Sequence, residues 1–251
     1  MEVLAIINQK GGVGKSTTSR NIGAGFVLKG YKVLYVDLDA QGNLTHTMGV
    51  TTVAYNALDL LQNKVTTEEA ITRTHQGDII AAAPILAGAD TVIISLGKEY
   101  RLKEALEPII NNRSYDYIII DTPPALGILT INALAACSSV IIPSQADIYS
   151  LQGIKQLHST IQTVKQYCNP LLQVKGIVLT RYNDRTILSR EVAELISCTA
   201  RQLQTKLYKT PIRECIAVKE SQAQQQDIFT YAPKSNVSQD YKALVDEIER
   251  E

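Results

Sequence analysis

Short runs of apolar residues alternate along this chain with longer segments whose apolar positions recur every three or four residues. The short runs predict buried strands, and the periodic segments predict helices that bury one face. Strands are predicted at 3–7, 33–36, 78–83, 117–120, 139–143 and 174–180. Helices are predicted at 17–29, 55–61, 68–71, 101–110, 154–167, 188–206 and 240–251.

Strands and helices alternate throughout, and no linker, internal repeat or low-complexity tract interrupts them. This order is typical of an α/β protein in which helices flank a mainly parallel central sheet. With 251 residues the chain is short enough to form a single domain over 1–251. Hydrophobic residues make up 45% and charged residues 20% of the chain, which allows a substantial buried core.

Charge and cysteine content exclude some classes of site. Lys+Arg and Asp+Glu both total 25, so any basic surface must come from local clustering. No Cys-x-x-Cys pair indicates a zinc, redox or iron–sulfur site, and reduced thiols in a cytosolic protein are the simpler interpretation. No signal peptide and no apolar run of about 20 residues is present, so we expect a cytoplasmic protein without a membrane anchor. The four cysteines are Cys137, Cys168, Cys198 and Cys215.

A glycine-rich loop at 8–18, Asn-Gln-Lys-Gly-Gly-Val-Gly-Lys-Ser-Thr-Thr, lies between the first predicted strand and the first helix. Gln9 replaces the first glycine of the ordinary P-loop pattern. A bare Gly-Gly-x-Gly would fit a tight turn, but Lys-Ser-Thr in a strand–turn–helix context favours a phosphate site with a Mg²⁺ ligand. The nucleotide-binding candidates are Lys10, Gly11, Gly12, Val13, Gly14, Lys15, Ser16 and Thr17.

Aspartates follow two of the predicted strands. Asp37 and Asp39 come after the strand at 33–36, and Asp121 comes after the strand at 117–120. Residues at the carboxyl ends of parallel strands face the ligand crevice of an open sheet. Taken alone, each motif could be a helix cap or a turn, but together with the loop they indicate a nucleotide–metal site.

These motifs share the pattern of a known family. Segment 10–17 resembles the deviant Walker A loop of the ParA/MinD ATPases, which carry an additional lysine at the position of Lys10. Segment 37–45 resembles the switch I motif of that family. Segment 117–131 resembles its Walker B strand and switch II. The resemblance covers essentially the whole chain and is closest to Soj-like and ParA-like partition proteins without an N-terminal helix-turn-helix.

The resemblance implies a Mg²⁺-dependent ATPase that binds ATP and ADP and turns over slowly by itself. Lys15 would neutralise the β- and γ-phosphates, and Asp39 would orient the attacking water. The metal ligands implied by the resemblance are Ser16, Asp37 and Asp121.

Lys10 is the residue that separates this loop from a generic P-loop. In the family this lysine reaches the phosphates of the partner subunit in a nucleotide-sandwich dimer, and it therefore counts among the catalytic residues. We expect Lys10 and Lys15 to repel each other in an empty site, and a triphosphate to offset that repulsion. ATP would then drive homodimerisation. Relatives also place the turn at 144–153 in the dimer interface.

The last third of the chain, 181–235, is the expected adenine- and DNA-facing region. The segment from Arg181 to Lys219 contains eight basic and four acidic residues. This excess of positive charge would fit either a solvated helix face or a surface for DNA. The adenine loop implied by the resemblance consists of Pro211, Ile212, Arg213 and Cys215. The candidate DNA contacts are Arg181, Arg185, Arg190, Lys206, Lys209, Arg213 and Lys219.

Three functions compete at this point. The favoured one is a partition ATPase on the nucleoid, whose ATP dimer binds DNA non-specifically and is released when a ParB-like partner stimulates hydrolysis. A MinD-like ATPase cycling on a membrane would need a basic amphipathic C-terminal helix, but 238–251 holds five acids and two bases. A reductase-type relative with a shared iron–sulfur cluster has no support from the cysteine spacing.

Overall fold

A seven-stranded β-sheet runs through the middle of the computed structural model, which describes residues 1–250. The strand order is β3-β4-β2-β5-β1-β6-β7, and every neighbouring pair is parallel except β3 and β4. The predicted α/β fold with a mainly parallel sheet is confirmed. The strands are β1 (Glu2–Ile6), β2 (Val33–Asp37), β3 (Ile71–Thr72), β4 (Asp78–Ile80), β5 (Tyr117–Asp121), β6 (Ser139–Ser144) and β7 (Gln173–Leu179).

The central strands are nearly continuous aliphatic runs because helices cover both faces of the sheet. On one face, α3 and α6 to α9 pack over a core that includes Leu106 and Ile196. On the other, α1, α11 and α12 enclose Phe26, Tyr241 and Leu244. The helices are α1 (Lys15–Leu28), α2 (Asn43–Thr47), α3 (Ala57–Leu61), α4 (Thr67–Ala70), α5 (Ala89–Val92), α6 (Arg101–Asn111), α7 (Ile128–Ala136), α8 (Ile148–Tyr167), α9 (Ile187–Gln202), α10 (Ile216–Ala223), α11 (Ile228–Tyr231) and α12 (Asn236–Glu249).

Capping residues explain where two predicted helix starts were wrong. The helix predicted from 154 begins at Ile148, because Asp147 accepts a hydrogen bond from Ser150 N at 3.0 Å and caps α8. The helix predicted from 240 begins at Asn236, because the Ser235 hydroxyl caps it in the same way. Glu251, the last residue of that predicted helix, lies outside the described residues.

The helix predicted to reach 206 ends at Gln202, and the chain after it joins the edge of the sheet. Tyr208 N donates to Ile177 O at 2.8 Å and Ile212 N donates to Leu179 O at 2.7 Å, so segment 206–213 runs alongside β7. This irregular edge returns the chain to the carboxyl end of the sheet. Among residues 1–250, no helix is long and apolar enough to span a bilayer.

Candidate nucleotide site

The loop at 8–18 connects β1 to α1 at the carboxyl edge of the sheet. Gly12 has φ 75° and Gly14 has φ 84°, the left-handed region that a side chain would strain. α1 begins at Lys15, and the first N–H bonded back to Gly14 O is that of Thr18, at 2.8 Å. The N–H groups of the first helical turn are therefore available to an anion, where the helix dipole also favours negative charge.

Asn8 within the loop and two side chains from distant parts of the chain hold the loop backbone in place. The Nδ2 of Asn8 donates to Pro143 O at 2.7 Å and so attaches the loop to the end of β6. Sequence reasoning missed these supporting residues, because their partners are backbone atoms that no motif identifies. The bonds to the loop run from Lys10 N to Asn8 Oδ1 (2.9 Å), from Gln145 Nε2 to Gly12 O (3.2 Å) and from Thr180 Oγ1 to Val13 O (2.8 Å).

Lys15 is buried at the base of the loop, and its ammonium donates to Lys10 O at 3.3 Å. Burial lowers the pKa of Lys15, while the charges of Asp121 and Asp39 oppose that shift. The two carboxylates favour the charged form of Lys15 despite its burial, and a charged ammonium at the base of the loop is suited to binding a polyanion.

Lys10, the residue that carries the resemblance to the ParA/MinD loop, pairs with Asp147 at the start of α8. The Lys10 Nζ lies 2.5 Å from Asp147 Oδ2, and both side chains are about one-third exposed, at 33% and 31%. Burial disfavours ionised Asp147, but hydrogen bonds from Lys10 and Ser150 hold its pKa below the usual value. The expectation that Lys10 simply repels Lys15 is therefore incomplete, because Asp147 already balances the charge of Lys10.

Asp37 and Asp121 lie side by side at the ends of β2 and β5, in matching register. Asp121 Oδ1 accepts from the Ser19 hydroxyl at 3.0 Å, whereas its buried Oδ2 accepts no hydrogen bond of normal geometry from residues 1–250. Burial and the neighbouring charge of Asp37 raise the pKa of Asp121, against the opposing effects of Ser16, Ser19 and Lys15. An unpartnered buried carboxylate oxygen of this kind is suited to a cation or to the water around one.

Asp37, although equally buried, is bonded to segment 37–45, which resembles switch I. Its Oδ2 accepts from Thr45 N at 2.9 Å and from the Thr45 hydroxyl at 2.7 Å, and its Oδ1 accepts from Asp39 N at 3.1 Å. Burial raises the pKa of Asp37, and these bonds oppose the shift. Of the two strand-end aspartates, Asp121 is thus the one with an oxygen free for a metal shell. Asp37 is the anchor of the segment that carries Asp39.

The protein groups present fit Mg²⁺ that is held jointly with phosphates and water. Among residues 1–250, no three His, Cys, Asp or Glu side chains converge as a complete metal cage. Mg²⁺ commonly keeps several waters and binds through one or two carboxylates plus substrate phosphates. The unpartnered Asp121 oxygen and the neighbouring Ser16 hydroxyl match that need.

Two adjoining cavities meet at the loop. The phosphate cavity, about 550 Å³, contains Lys15, Ser16 and the carboxylate of Asp39 in its wall. The flanking cavity, about 180 Å³, lies on the other side of Gly12 and Gly14. Its wall includes three predicted adenine-loop residues, Ile212, Arg213 and Cys215, together with Val218, Gln222 and Tyr241, whereas Pro211 does not line it.

The basic residues predicted to contact DNA do not form one free surface. Arg181 pairs with Glu214 at 2.7 Å, and Arg213 pairs with Asp240 at 2.5 Å. Lys206 lies over the ring of Tyr208, 4.7 Å from its centroid. Several of the cations are therefore engaged within the chain, which the count of charges could not reveal.

The remaining candidates lie on separate elements. Arg185 is exposed in the loop before α9, and Arg190 on α9 donates to Asp184 O at 2.7 Å. Lys209 lies in the edge segment beside β7, while Lys219 on α10 lines the flanking cavity. Their separation makes each residue's role in DNA binding a prediction to be tested singly.

Comparison with known proteins identifies the family. Residues 1–174 match a family described as an AAA domain. The sporulation initiation inhibitor protein Soj of Bacillus subtilis is 40% identical over 252 residues, covering 98% of both chains. The chain belongs to the ParA/Soj family of P-loop ATPases. The chromosome partitioning protein ParA of Caulobacter vibrioides is 36% identical, with 99% of this chain and 94% of ParA covered.

Solved structures agree with this assignment. A cobyrinic acid a,c-diamide synthase of Mycobacterium smegmatis, crystallised with ADP and magnesium, is 34% identical with a TM-score of 0.86, covering 100% of this chain and 94% of the synthase. The apo McdA of Cyanothece has a TM-score of 0.88 at 23% identity, covering 98% of each chain, which supports the fold alone. The family and the fold are thus confirmed, while the roles of single residues stay predictions.

Proposed function

We propose that this protein is a Mg²⁺-dependent ATPase that converts ATP and water to ADP and phosphate, slowly when alone. One observation carries the proposal: Lys15, the open first turn of α1 and the unpartnered oxygen of Asp121 surround the loop between β1 and α1. Together they offer positive charge, N–H donors and a metal-facing carboxylate to a phosphate chain. The ADP and magnesium in the related synthase crystal support the same choice of ligand.

In this proposal the phosphate cavity takes the β- and γ-phosphates and the flanking cavity takes the adenine. The polar wall of the first contains Lys15, Ser16 and Asp39, whereas the second has apolar contributions from Ile212, Val218 and Tyr241. A polyanion and a flat aromatic base need these two kinds of surroundings. The glycine backbone of the loop separates them.

Hydrolysis then depends on positioning. Asp39 is only 8% exposed, and its Oδ1 accepts from Gln41 N at 3.0 Å, which leaves Oδ2 to hold a water beside the terminal phosphate. Lys15 offsets charge that develops on the phosphate oxygens. Mg²⁺, when bound through Ser16 and Asp121 with support from Asp37, supplies further charge neutralisation at the phosphates.

We further propose that ATP brings two subunits together through Lys10. Its ammonium is at the protein surface and held by a single partly exposed carboxylate, that of Asp147. Partly exposed ion pairs are weak, generally below about 1 kcal/mol, so the phosphates of a facing subunit can replace Asp147. Asp147 then serves as the resting position of Lys10 in the monomer.

The proposed task of the dimer is partition of DNA. The similar proteins named ParA and Soj, and exposed basic residues of 181–219 such as Arg185, support DNA as the surface to which the ATP dimer binds. Dimerisation doubles the number of basic groups presented, and avidity then strengthens a contact that is weak for one subunit. A ParB-like partner would stimulate hydrolysis and release the dimer from the nucleoid.

The fold disfavours a MinD-like membrane cycle. α12 directs Val237, Leu244, Val245 and Ile248 into the core beside α1, so its apolar face is not available to a bilayer. Its exposed residues include only one lysine, Lys242, so the helix presents no basic face to anionic lipids.

An ATPase assay with DNA and the neighbouring gene's protein, added separately and together, tests this function. We expect low basal hydrolysis, stimulation that is largest when both are present, and ATP-dependent retardation of plasmid DNA that weakens steeply with salt. Omission of Mg²⁺ should stop hydrolysis. Absence of any retardation at low salt would exclude DNA as the partner, and absence of ATP hydrolysis under every condition would exclude the enzyme.

A further inference from the structure

Gln222 is a side chain from the C-terminal third of the protein that reaches the glycine-rich loop. It lies on α10 and lines both the phosphate cavity and the flanking cavity. Its Nε2 donates to the Thr17 hydroxyl oxygen at 2.7 Å. Thr17 itself is in the first turn of α1 and borders both cavities. The pair therefore occupies the junction between the two proposed halves of the nucleotide site.

Two further contacts hold the chain near Gln222 against α1. Asn21 Oδ1 accepts from Ile228 N at 2.9 Å, and the buried Arg20 lies 3.5 Å from Asp227. Thr17, Arg20 and Asn21 are spaced three and four residues apart, so they share one face of the helix. Segment 222–228 and the first half of α1 consequently form one bonded unit, and Gln222 is placed before any ligand arrives.

The hydrogen bond from Gln222 to Thr17 determines where the Thr17 hydroxyl can donate its own proton. A threonine hydroxyl has one proton and two acceptor positions. Because Gln222 donates to the oxygen, the Thr17 proton must point to another acceptor. Within residues 1–250 the Thr17 hydroxyl donates no hydrogen bond, and Thr17 lines both cavities. The proton is therefore available to a ligand in the cavities.

We propose that Gln222 is a nucleotide-positioning residue, which orients the Thr17 hydroxyl toward the phosphate nearest the ribose. This inference rests on the proposed function, and it adds that the side chain of α10 contributes to binding. A phosphate at the junction of the cavities is common to ATP and ADP. Gln222 therefore contributes to the binding of nucleoside diphosphates and triphosphates alike. Through it, α10 contacts the Thr17 side chain that holds the bound nucleotide.

Gln222→Leu removes the donor and keeps the approximate size of the side chain. We expect the Kd values of ATP and ADP to rise by the same factor, about fivefold to tenfold for a lost hydrogen bond to a group that contacts an anion. Isothermal titration calorimetry measures both constants, and the Tm without nucleotide should stay within about 2 °C because half-buried Gln222 contributes little to the core. Gln224→Leu, an exposed glutamine in the same segment, is the matched control and should bind like the wild type.

A double-mutant cycle separates positioning from general damage to α10. In a Thr17→Val background, Gln222→Leu should have no further effect, because the hydroxyl that it orients is gone. In a Thr17→Ser background, which retains the hydroxyl, the loss on Gln222→Leu should reappear. Gln222→Ala serves as the second variant if Gln222→Leu lowers the Tm.

Each outcome bears on one claim. Unchanged ATP and ADP affinity in both Gln222 variants, or full additivity with Thr17→Val, would overturn the role of Gln222. A loss confined to ATP would also overturn it, since the effect would then belong to the γ-phosphate. If the wild type binds neither ATP nor ADP, the proposed function fails first, and the inference fails with it.

Discussion

The loop at 8–18 and the segment at 213–228 border the same cavities, but they are held in place in different ways. The loop takes its shape from glycine backbone conformations and from the helix that begins at Lys15. Side-chain bonds from Gln145 and Thr180 then hold its backbone in place. The segment depends on side-chain bonds to other elements, including Arg213 to Asp240 and Gln222 to Thr17. A loop of the first kind offers a preset phosphate site to any nucleotide. The segment can adjust to a bound nucleotide, because single side-chain bonds such as Gln222 to Thr17 break more easily than the glycine loop changes its backbone conformation.

The largest effect should come from the loop. Lys15→Ala removes the one buried ammonium among the described phosphate-cavity residues and leaves the charges of Asp39 and Asp121 uncompensated. We expect kcat/KM for ATP to fall about 1,000-fold, in line with removal of a main group that stabilises developing charge. Phosphate release measures this, and Lys64→Ala, at a surface site with a 61% exposed side chain, is the control. Near-normal turnover of Lys15→Ala would mean that the loop does not bind the reacting phosphates.

Asp39→Ala should separate chemistry from binding within the same cavity. Loss of the carboxylate that aligns water should lower kcat about 100-fold, with little change in the Kd of ATP. Single-turnover hydrolysis and calorimetry measure the two quantities. An equal loss in binding and in rate would show instead that Asp39 helps to organise the loop.

Asp240→Asn tests the segment by weakening its attachment to α12. Asp240 is 7% exposed and receives Arg213 through its Nε, its Nη2 and its backbone N–H. We expect the Kd of ADP to rise about tenfold, since charge-assisted hydrogen bonds to a buried carboxylate contribute about 1.5–3 kcal/mol. The Tm should fall as well.

Asp246→Asn provides the matched control for that change. It lies on the same helix α12, but it pairs with Lys29 at the surface with a side chain 44% exposed. Its ADP affinity should equal that of the wild type. If both variants lose ADP affinity equally, α12 as a whole supports the site and the Arg213 attachment has no special role.

The smallest effect is expected from Asp147, where the loop meets α8. Asp147→Asn keeps a capping residue for α8 but removes the charge that holds Lys10. The ATP-dependent dimer should therefore form up to about fivefold more readily, as expected from release of a partly exposed ion pair. Sedimentation equilibrium with ATP measures the dimer constant.

Lys10→Ala is the opposite change at the same contact. It should bind ATP and remain monomeric, because no ammonium is left to reach a facing subunit. A dimer of unchanged strength with ATP would contradict the proposed role of Lys10, and a weaker dimer in Asp147→Asn would contradict the resting role of Asp147.

The strands and the phosphate loop were accessible from sequence because they depend on local patterns. Aliphatic runs identified β1, β2 and β5, and the rule for the ends of parallel strands brought Asp39 and Asp121 to one edge. The start of α8 depends on the N-cap residue Asp147, whereas the periodic apolar positions predict a later start at 154. Weak local signals explain the missed β3, which has only two residues.

The sequence by itself determined the fold class, the loop and its acidic neighbours, since neighbours along the chain decide backbone conformation and strand ends. Only the tertiary structure decided that Lys10 rests on Asp147, 137 residues away, and that Gln222 reaches Thr17 across 205 residues. It also decided that Arg181 and Arg213 are paired rather than free. Packing of the two layers against the sheet brings these side chains together, and no pattern of spacing along the chain records which surfaces will meet.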